Sequence, residues 1–232
     1  MSAFVIPYGK KAGCLPRSTR VGEACPLFGE KIPVMTESEV REAISARKAA
    51  GIKTRQFVKD VLDQDGVGSC ATESTTQGVR TRKIMSGRPC PILNPWFLYY
   101  HSSGGRDQGS SIDENLKLAR EIGIPSMEVW PRSKGWQTKP SNEAYLDALN
   151  NRITEFYDIT TTMEARTALV LDFLVVFGHD SHSELMIDIP DYTGADVVNS
   201  WGDWEDGGFH AKPFPFSRVN FAYGCWAVRV VE

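Results

Sequence analysis

The spacing of apolar positions along the 232 residues changes character near residue 165. Before that point apolar residues fall at helical intervals between capping and stop signals; beyond it they bunch into short β-branched or aromatic runs. Residues 36 to 50, TESEVREAISARKAA, open with Thr36 and Glu39 in the pattern of a capping box, and Gly51 can end that helix. The stretch from Cys70 to Met85 can form a second helix, closed by Ser86-Gly87-Arg88-Pro89. A third takes Ser111 as N-cap with Glu114 at N3, carries Leu116, Leu118 and Ala119, and stops at Gly123 and Pro125. A fourth starts at Ser141 and sets Tyr145, Leu146 and Leu149 at helical spacing. Strands are expected in Leu169 to Phe177, Leu185 to Ile189, Ala195 to Val198 and Cys225 to Val231. Residues 1 to 35, rich in Gly and Pro, read as an extended arm lying on other structure. Helices followed by strands predict an α+β chain of two packed lobes with a cleft between them.

The bulk numbers narrow the partners more than the fold. A net charge of -3 gives no reason to expect a nucleic acid. No stretch approaches the roughly 18 apolar residues of a membrane span, and the N-terminus MSAFVIPYGKK lacks a secretory pattern. Five cysteines, at 14, 25, 70, 90 and 225, form no tight framework, which suits a reducing, cytoplasmic setting.

One stretch carries chemistry, residues 64 to 75, QDGVGSCATEST. A cysteine becomes a strong nucleophile as its thiolate, and a helix N-terminus favours that charge through free N–H groups and aligned peptide dipoles. Gly66 and Gly68 allow a sharp turn that delivers Cys70 to such a terminus. Gln64, six residues earlier, can swing its amide back toward the sulfur, so that it and the Cys70 N–H form a two-donor oxyanion hole.

Gln64, Gly68, Ser69 and Cys70 resemble the Gln-x-x-x-Gly-Ser-Cys segment of papain-like cysteine peptidases. Asn199-Ser200-Trp201-Gly202, followed by Trp204 and Gly207-Gly208-Phe209, resembles the same family's Asn-Ser-Trp-Gly segment. Between these ends, residues 93 to 100 (LNPWFLYY), Gly109 to Ile112, Gly123 to Pro125 and Val129 to Pro131 are similar in order to bacterial and viral members, bacteriophage-encoded ones among them. The resemblance covers roughly residues 60 to 232. It implies a papain-like two-lobe fold, a helical lobe plus an antiparallel β-rich lobe with the active-site cleft between. Residues 1–63 would be an arm and helix packing on the catalytic domain, 64–152 the lobe with the nucleophile, and 153–232 the lobe with His and Asn. It implies hydrolysis of peptide or related amide bonds in a protein or peptide substrate, with Cys70 as nucleophile, Asn199 orienting the imidazole and Trp201 shielding that bond. No cofactor and no metal is required.

The base must be a histidine within reach of the sulfur. His182, followed by Ser183-Glu184-Leu185-Met186-Ile187 and 17 positions before Asn199, fits the family's place for it; His179 is the alternative if the loop registers differently. Strand alternation puts His182, Glu184 and Met186 on one side and Ser183, Leu185 and Ile187 on the other, which sets a carboxylate near the imidazole, where it either raises the His pKa and favours an ion pair or faces solvent at the rim. Three departures stand out. Ala71 replaces an aromatic residue, Val67 stands where many secreted relatives have a disulfide cysteine, and His182 and Asn199 lie only 112 and 129 positions beyond Cys70, against roughly 130 to 150 in the family. The shortening falls between Phe177 and His182 and predicts a more open cleft. The 63 residues before Gln64 are few for a large inhibitory prodomain; they form a structural arm, or part of them covers the cleft and is removed.

Other chemistries are poorly supported. His179 and His182 in HxxH spacing, with Glu184 or Asp188 nearby, lack a completing ligand pair for zinc; no Gly-x-Ser-x-Gly elbow is present, and Gly104-Gly105 lacks the Gly-Lys-Ser/Thr of a phosphate loop. The competing expectation is a non-catalytic structural or binding protein on the same scaffold, such as a component of a virus particle.

Overall fold

The computed structural model describes residues 6–229. Its central element is α3 (Cys70–Met85), of whose 16 residues 13 are buried although most are polar. Small hydroxyls make this possible by bonding back to the helix: Thr72 Oγ1 donates to the Ser69 carbonyl at 2.8 Å and Thr75 Oγ1 to that of Ala71 at 2.8 Å. Gly78 then lets α3 lie close against strands, since a Cβ there would sit 3.3 Å from Leu185 Cδ1.

Those strands belong to one antiparallel sheet, built from β1 (Glu155–Asp158), β2 (Leu174–His179), β3 (His182–Asp191), β4 (Gly194–Val198), β5 (Phe214–Pro215) and β6 (Cys225–Arg229). The order across it is β1-β6-β2-β3-β4-β5. Alternation divides its side chains between two cores. Leu174, Val176, Leu185 and Ile187 face α3, α4 (Pro95–Ser102) and α5 (Ile112–Glu121), in a cluster that also holds Phe97, Leu98 and Leu116. Val175, Phe177 and Met186 face the other way, under α1 (Phe28–Lys31), α2 (Glu37–Ala49) and α7 (Thr162–Val170), with Phe28, Ile44 and Leu169. The architecture is the expected α+β, yet the outer face of the strand-rich half is covered by α1 and α2 from the N-terminal part of the chain as well as by α7.

Several expectations change in detail. The reading of Leu169 to Phe177 as one strand is wrong at its start: a Thr161–Glu164 capping box launches α7, which holds Leu169 and Val170 in its last turn. Asp172, at φ 61°, breaks the helix before β2 begins at Leu174. Apolar content alone could not separate that final turn from the strand. The third helix forms, but its expected N-cap Ser111 makes no capping bond with its side chain. Asp113 instead receives Ser18 Oγ at 2.8 Å and Thr19 Oγ1 at 2.6 Å, which docks the N-terminal segment there. In α6 (Asn142–Ala148) the buried positions are Ala144 and Ala148, and Leu146 and Leu149 face water. Val230 and Val231 of the last expected strand lie outside the described residues. β2 and β3 are joined by only two residues, Asp180 (φ 43°) and Ser181 (φ 62°), both left-handed as a tight hairpin turn requires.

Two glycines test these contacts against backbone strain alone. Gly87 and Gly123 share a left-handed φ, +77° and +75°, but a Cβ at Gly87 meets open space and one at Gly123 would stand 1.9 Å from the Ala148 carbonyl oxygen. Gly87→Ala should lower stability by about 1 kcal/mol, the cost of left-handed backbone for a residue with a Cβ. Gly123→Ala should lower it by about 3 kcal/mol, because the backbone at Ala148 must move as well. Urea midpoints followed by circular dichroism measure both.

Candidate active site

Cys70 is the first residue of α3, and the loop before it is fixed from three sides. Gly66 takes the left-handed turn expected of it, at φ +75°. Gly68 serves by its size instead: a Cβ there would lie 3.0 Å from Asp107 Oδ1 and 3.2 Å from Tyr99 Oη. The Gly68 N–H donates to Asp107 Oδ1 at 2.8 Å, and the Tyr99 hydroxyl donates to the same oxygen at 2.7 Å. Arg132 donates to the Asp63 carbonyl and forks onto buried Glu73 at 2.7 and 2.6 Å. Burial raises the Glu73 carboxyl to about 7, against the pull of Arg132 and of Ser69, whose Oγ donates to it at 3.1 Å. Asp107, Arg132 and Glu73 escaped sequence reasoning because each acts through a contact distant along the chain.

Across the seam, His182 opens β3. Its Nε2–H donates to Asn199 Oδ1 at 2.8 Å, which places the lone pair of the neutral ring on Nδ1. Trp201 stacks on that imidazole, with centroids 4.6 Å apart and planes inclined by 28°. The Trp201 indole N–H and the Ser200 hydroxyl donate to Gln64 Oε1 at 3.0 and 2.9 Å. The Cys70 sulfur accepts the backbone N–H of Ser183, the residue after His182. Thiol, imidazole, Asn199, Trp201 and Gln64 are thus brought to one seam. His179 stands beside that line: its Nε2–H donates to Glu184 Oε2 at 2.7 Å, and its ring meets His182 edge to face at 5.9 Å.

The N-terminal arm runs through the seam. Lys10 Nζ pairs with Asp63 at 2.6 Å, and Lys11 Nζ pairs with Asp107 at 2.6 Å. The Gly13 N–H points at the Cys70 sulfur. Its carbonyl accepts from Ser110 N at 2.9 Å, Cys14 N donates to the Ser181 carbonyl at 2.9 Å, and Leu15 N donates back to Ser110 at 3.1 Å. Only glycine fits at 13, where a Cβ would stand 2.0 Å from the Gly68 carbonyl oxygen. The cleft expected to be more open is therefore filled, and the short β2–β3 turn that was to open it supplies the Ser181 carbonyl to the arm. Gln64 departs from expectation too. Its amide hydrogens go to the carbonyls of Lys11 and Val67, both at 2.6 Å, rather than toward the sulfur.

Covered in this way, the pair is neutral. Burial pushes the Cys70 thiol up to about 12, against three backbone N–H groups, and lowers the His182 imidazole to about 4. All five cysteines are free thiols. Among the described residues, no group of three or more His, Cys, Asp and Glu could hold a metal ion, and no helix is long and apolar enough to cross a membrane.

The arrangement is a papain-like fold, the fold of cysteine proteases, with the helical lobe and the sheet meeting at Cys70. The chain is similar over 99% of its length, and over all of the other, to xylellain, a cysteine protease from Xylella fastidiosa, with TM-score 0.67 and 18% identity. It is similar to digestive procathepsin L2 from Tenebrio molitor larval midgut, with TM-score 0.64 and 14% identity, over 96% of this chain and 79% of that one. The Carica candamarcensis cysteine protease CMS1MS2, solved in complex with E-64, aligns over 78% of this chain and 98% of its own, with TM-score 0.57 and 16% identity. No protein-family model and no curated protein sequence matches the chain.

The covered thiol has a measurable signature. A thiol raised above its unfolded value adds stability that is present below pH 9 and lost as pH rises toward 12. In the intact chain Cys70 should react slowly with iodoacetamide, at a rate that climbs toward alkaline pH. Lys10→Ala with Lys11→Ala removes two part-exposed ion pairs, together worth about 1 to 2 kcal/mol, and should speed alkylation about tenfold. Mass spectrometry of the Cys70 peptide reads the rate.

Proposed function

We propose that this protein is a cysteine peptidase of papain-like type, held latent by its own N-terminal arm. The observation that carries the reading is the His182–Asn199 bond under Trp201, with the Cys70 sulfur one residue away on the N–H of Ser183. When the arm leaves, water and substrate enter, and the desolvation that keeps both groups neutral is relieved. The Cys70 proton then passes to His182 Nδ1, and the α3 N-terminus steadies the thiolate.

The sulfur attacks a peptide carbonyl, whose oxygen develops charge. The Cys70 N–H and Gln64 Nε2, the latter freed from the Lys11 carbonyl, are the donors for it. In this reading the Lys11 carbonyl, bonded to that amide now, must give way before a substrate oxygen can be held there. His182 next protonates the departing amine and afterwards activates water against the thioester, while Asn199 keeps the ring aligned. The burial of Cys70 favours a second reading, a scaffold in which the arm never leaves and the thiol never ionises.

Hydrolysis of casein by the full chain carrying Lys10→Ala and Lys11→Ala separates the two. Cys70→Ala in that background should abolish turnover and leave the fold intact, and His182→Ala should do nearly the same while His179→Ala keeps measurable turnover. Gln64→Ala should cost roughly 10- to 1000-fold in kcat/KM. Hydrolysis that survives Cys70→Ala would overturn the nucleophile. Absence of turnover together with alkylation rising only toward alkaline pH would favour the scaffold.

A further inference from the structure

Glu184 lies two positions beyond His182 on β3 and is wholly buried. Its Oε2 accepts a hydrogen bond from His179 Nε2 at 2.7 Å, and its Oε1 accepts one from His210 Nε2 at 2.8 Å. The same Oε1 stands 3.8 Å from His182 Nε2. A carboxylate taken out of water keeps its charge only with such donors, and despite burial these two hold Glu184 well below the usual carboxylate range.

The donors come from different elements, and each is itself held. His179, at the end of β2, is stacked on Phe177 at 5.5 Å and packs against Phe214 at 4.8 Å. Its Nδ1 lies 3.3 Å from Asp180, which Arg218 pairs at 2.9 Å. His210, between β4 and β5, meets Trp204 edge to face at 5.1 Å and is raised by its partner Glu184 against the effect of burial.

We propose that Glu184 is a positioning residue for the thiol chemistry: a buried ionised carboxylate, gripped by His179 and His210, that supplies the counter-charge when His182 takes the proton of Cys70. The inference rests on the peptidase reading above. In that step the S–H bond breaks and an N–H bond forms at His182 Nδ1, which leaves thiolate and imidazolium. Asn199 orients the ring but carries no charge. Burial opposes charge on His182 most; Glu184 from its own strand and the Asn199 hydrogen bond favour the imidazolium, and His179 on β2 and His210 beyond β4 oppose it. Cys70 faces the seam from α3 and becomes the other half of the pair. At 3.8 Å from the ring nitrogen, the carboxylate favours the cation on His182 more than it disfavours the more distant thiolate.

The test titrates His182 itself by 15N NMR in the full chain, a readout that needs no turnover. Glu184→Gln keeps the size and removes the charge, and it should lower the His182 midpoint by about one unit or more, tenfold in proton affinity. Glu184→Asp, which retains the charge but draws it back by one methylene, should lower it by about half a unit. Iodoacetamide rates for Cys70 in the Lys10→Ala, Lys11→Ala background should show the alkaline limb of the pH profile moving down with the midpoint, and the acid limb moving less. A purely structural Glu184 would lower rates evenly and shift neither limb. An acid plateau of alkylation with a His182 midpoint unmoved in Glu184→Gln overturns the role of Glu184 alone. A midpoint that moves without any acid plateau overturns the peptidase reading and this role with it. Should Glu184→Gln not fold, an unmoved midpoint in Glu184→Asp overturns the proposal.

Discussion

The carboxamide of Gln64 is the point on which the closed seam depends. Its oxygen takes the Trp201 indole N–H and the Ser200 hydroxyl from the sheet side, and its nitrogen holds the Lys11 carbonyl of the arm and the Val67 carbonyl of its own loop. A buried amide with all four directions used joins three stretches of chain that are otherwise far apart in sequence. The donors into Oε1 and the acceptors around Nε2 fix its orientation. One of the two carbonyls it serves belongs to the arm. In the peptidase proposed above, the amide that now holds the Lys11 carbonyl would have to give up that bond to a reacting substrate, so sealing and catalysis would compete for it.

Desolvation sets the state of the chemical pair. Cys70 and His182 are both buried, and burial pushes the thiol up and the imidazole down, away from the order an ion pair needs. The helix terminus and three backbone N–H groups act against this and do not overcome it while water is excluded. The arm contributes to both sides: the Gly13 N–H steadies negative charge on the sulfur, and the rest of the strap keeps solvent away. Its ion pairs, Lys10–Asp63 and Lys11–Asp107, are part-exposed, and backbone bonds to Ser110, Ser181 and Ala222 hold the arm beside them.

The sequence disclosed the elements whose signals are local. The capping box of α2 appears where Thr36 and Glu39 put it, and α3 begins at Cys70 behind its glycines. The segment around Asn199 could be read because a short run of unusual residues carries it. Placement across the chain was far less legible. The arm threads the cleft through bonds from backbone to backbone, which leave no trace in side-chain pattern except Gly13, and a lone glycine in a Gly-rich arm says little. The α7 boundary failed for a related reason, since Leu169 and Val170 suit a helix end and a strand start equally. Glu184 was visible beside His182 by alternation. Its partner His210 was not, because its place beside β3 is set by the packing of the segment after β4.

Two buried carboxylates flank the thiol and imidazole, and their partners differ in a way that bears on the chemistry. Glu73, one turn into α3 from Cys70, is forked by Arg132, a cation that cannot give up its charge. Arg132 works against the burial that raises the Glu73 carboxyl, and Glu73 still acts against a thiolate at the sulfur. Glu184, beside the imidazole, is held by two histidines, which donate hydrogen bonds without each contributing a permanent cation. Its negative charge remains felt at His182. The carboxylate paired by a permanent cation stands on the sulfur side of the seam, and the one gripped by two histidines stands on the imidazole side. In the peptidase proposed above, this asymmetry would favour the ion pair once the arm leaves and solvent returns.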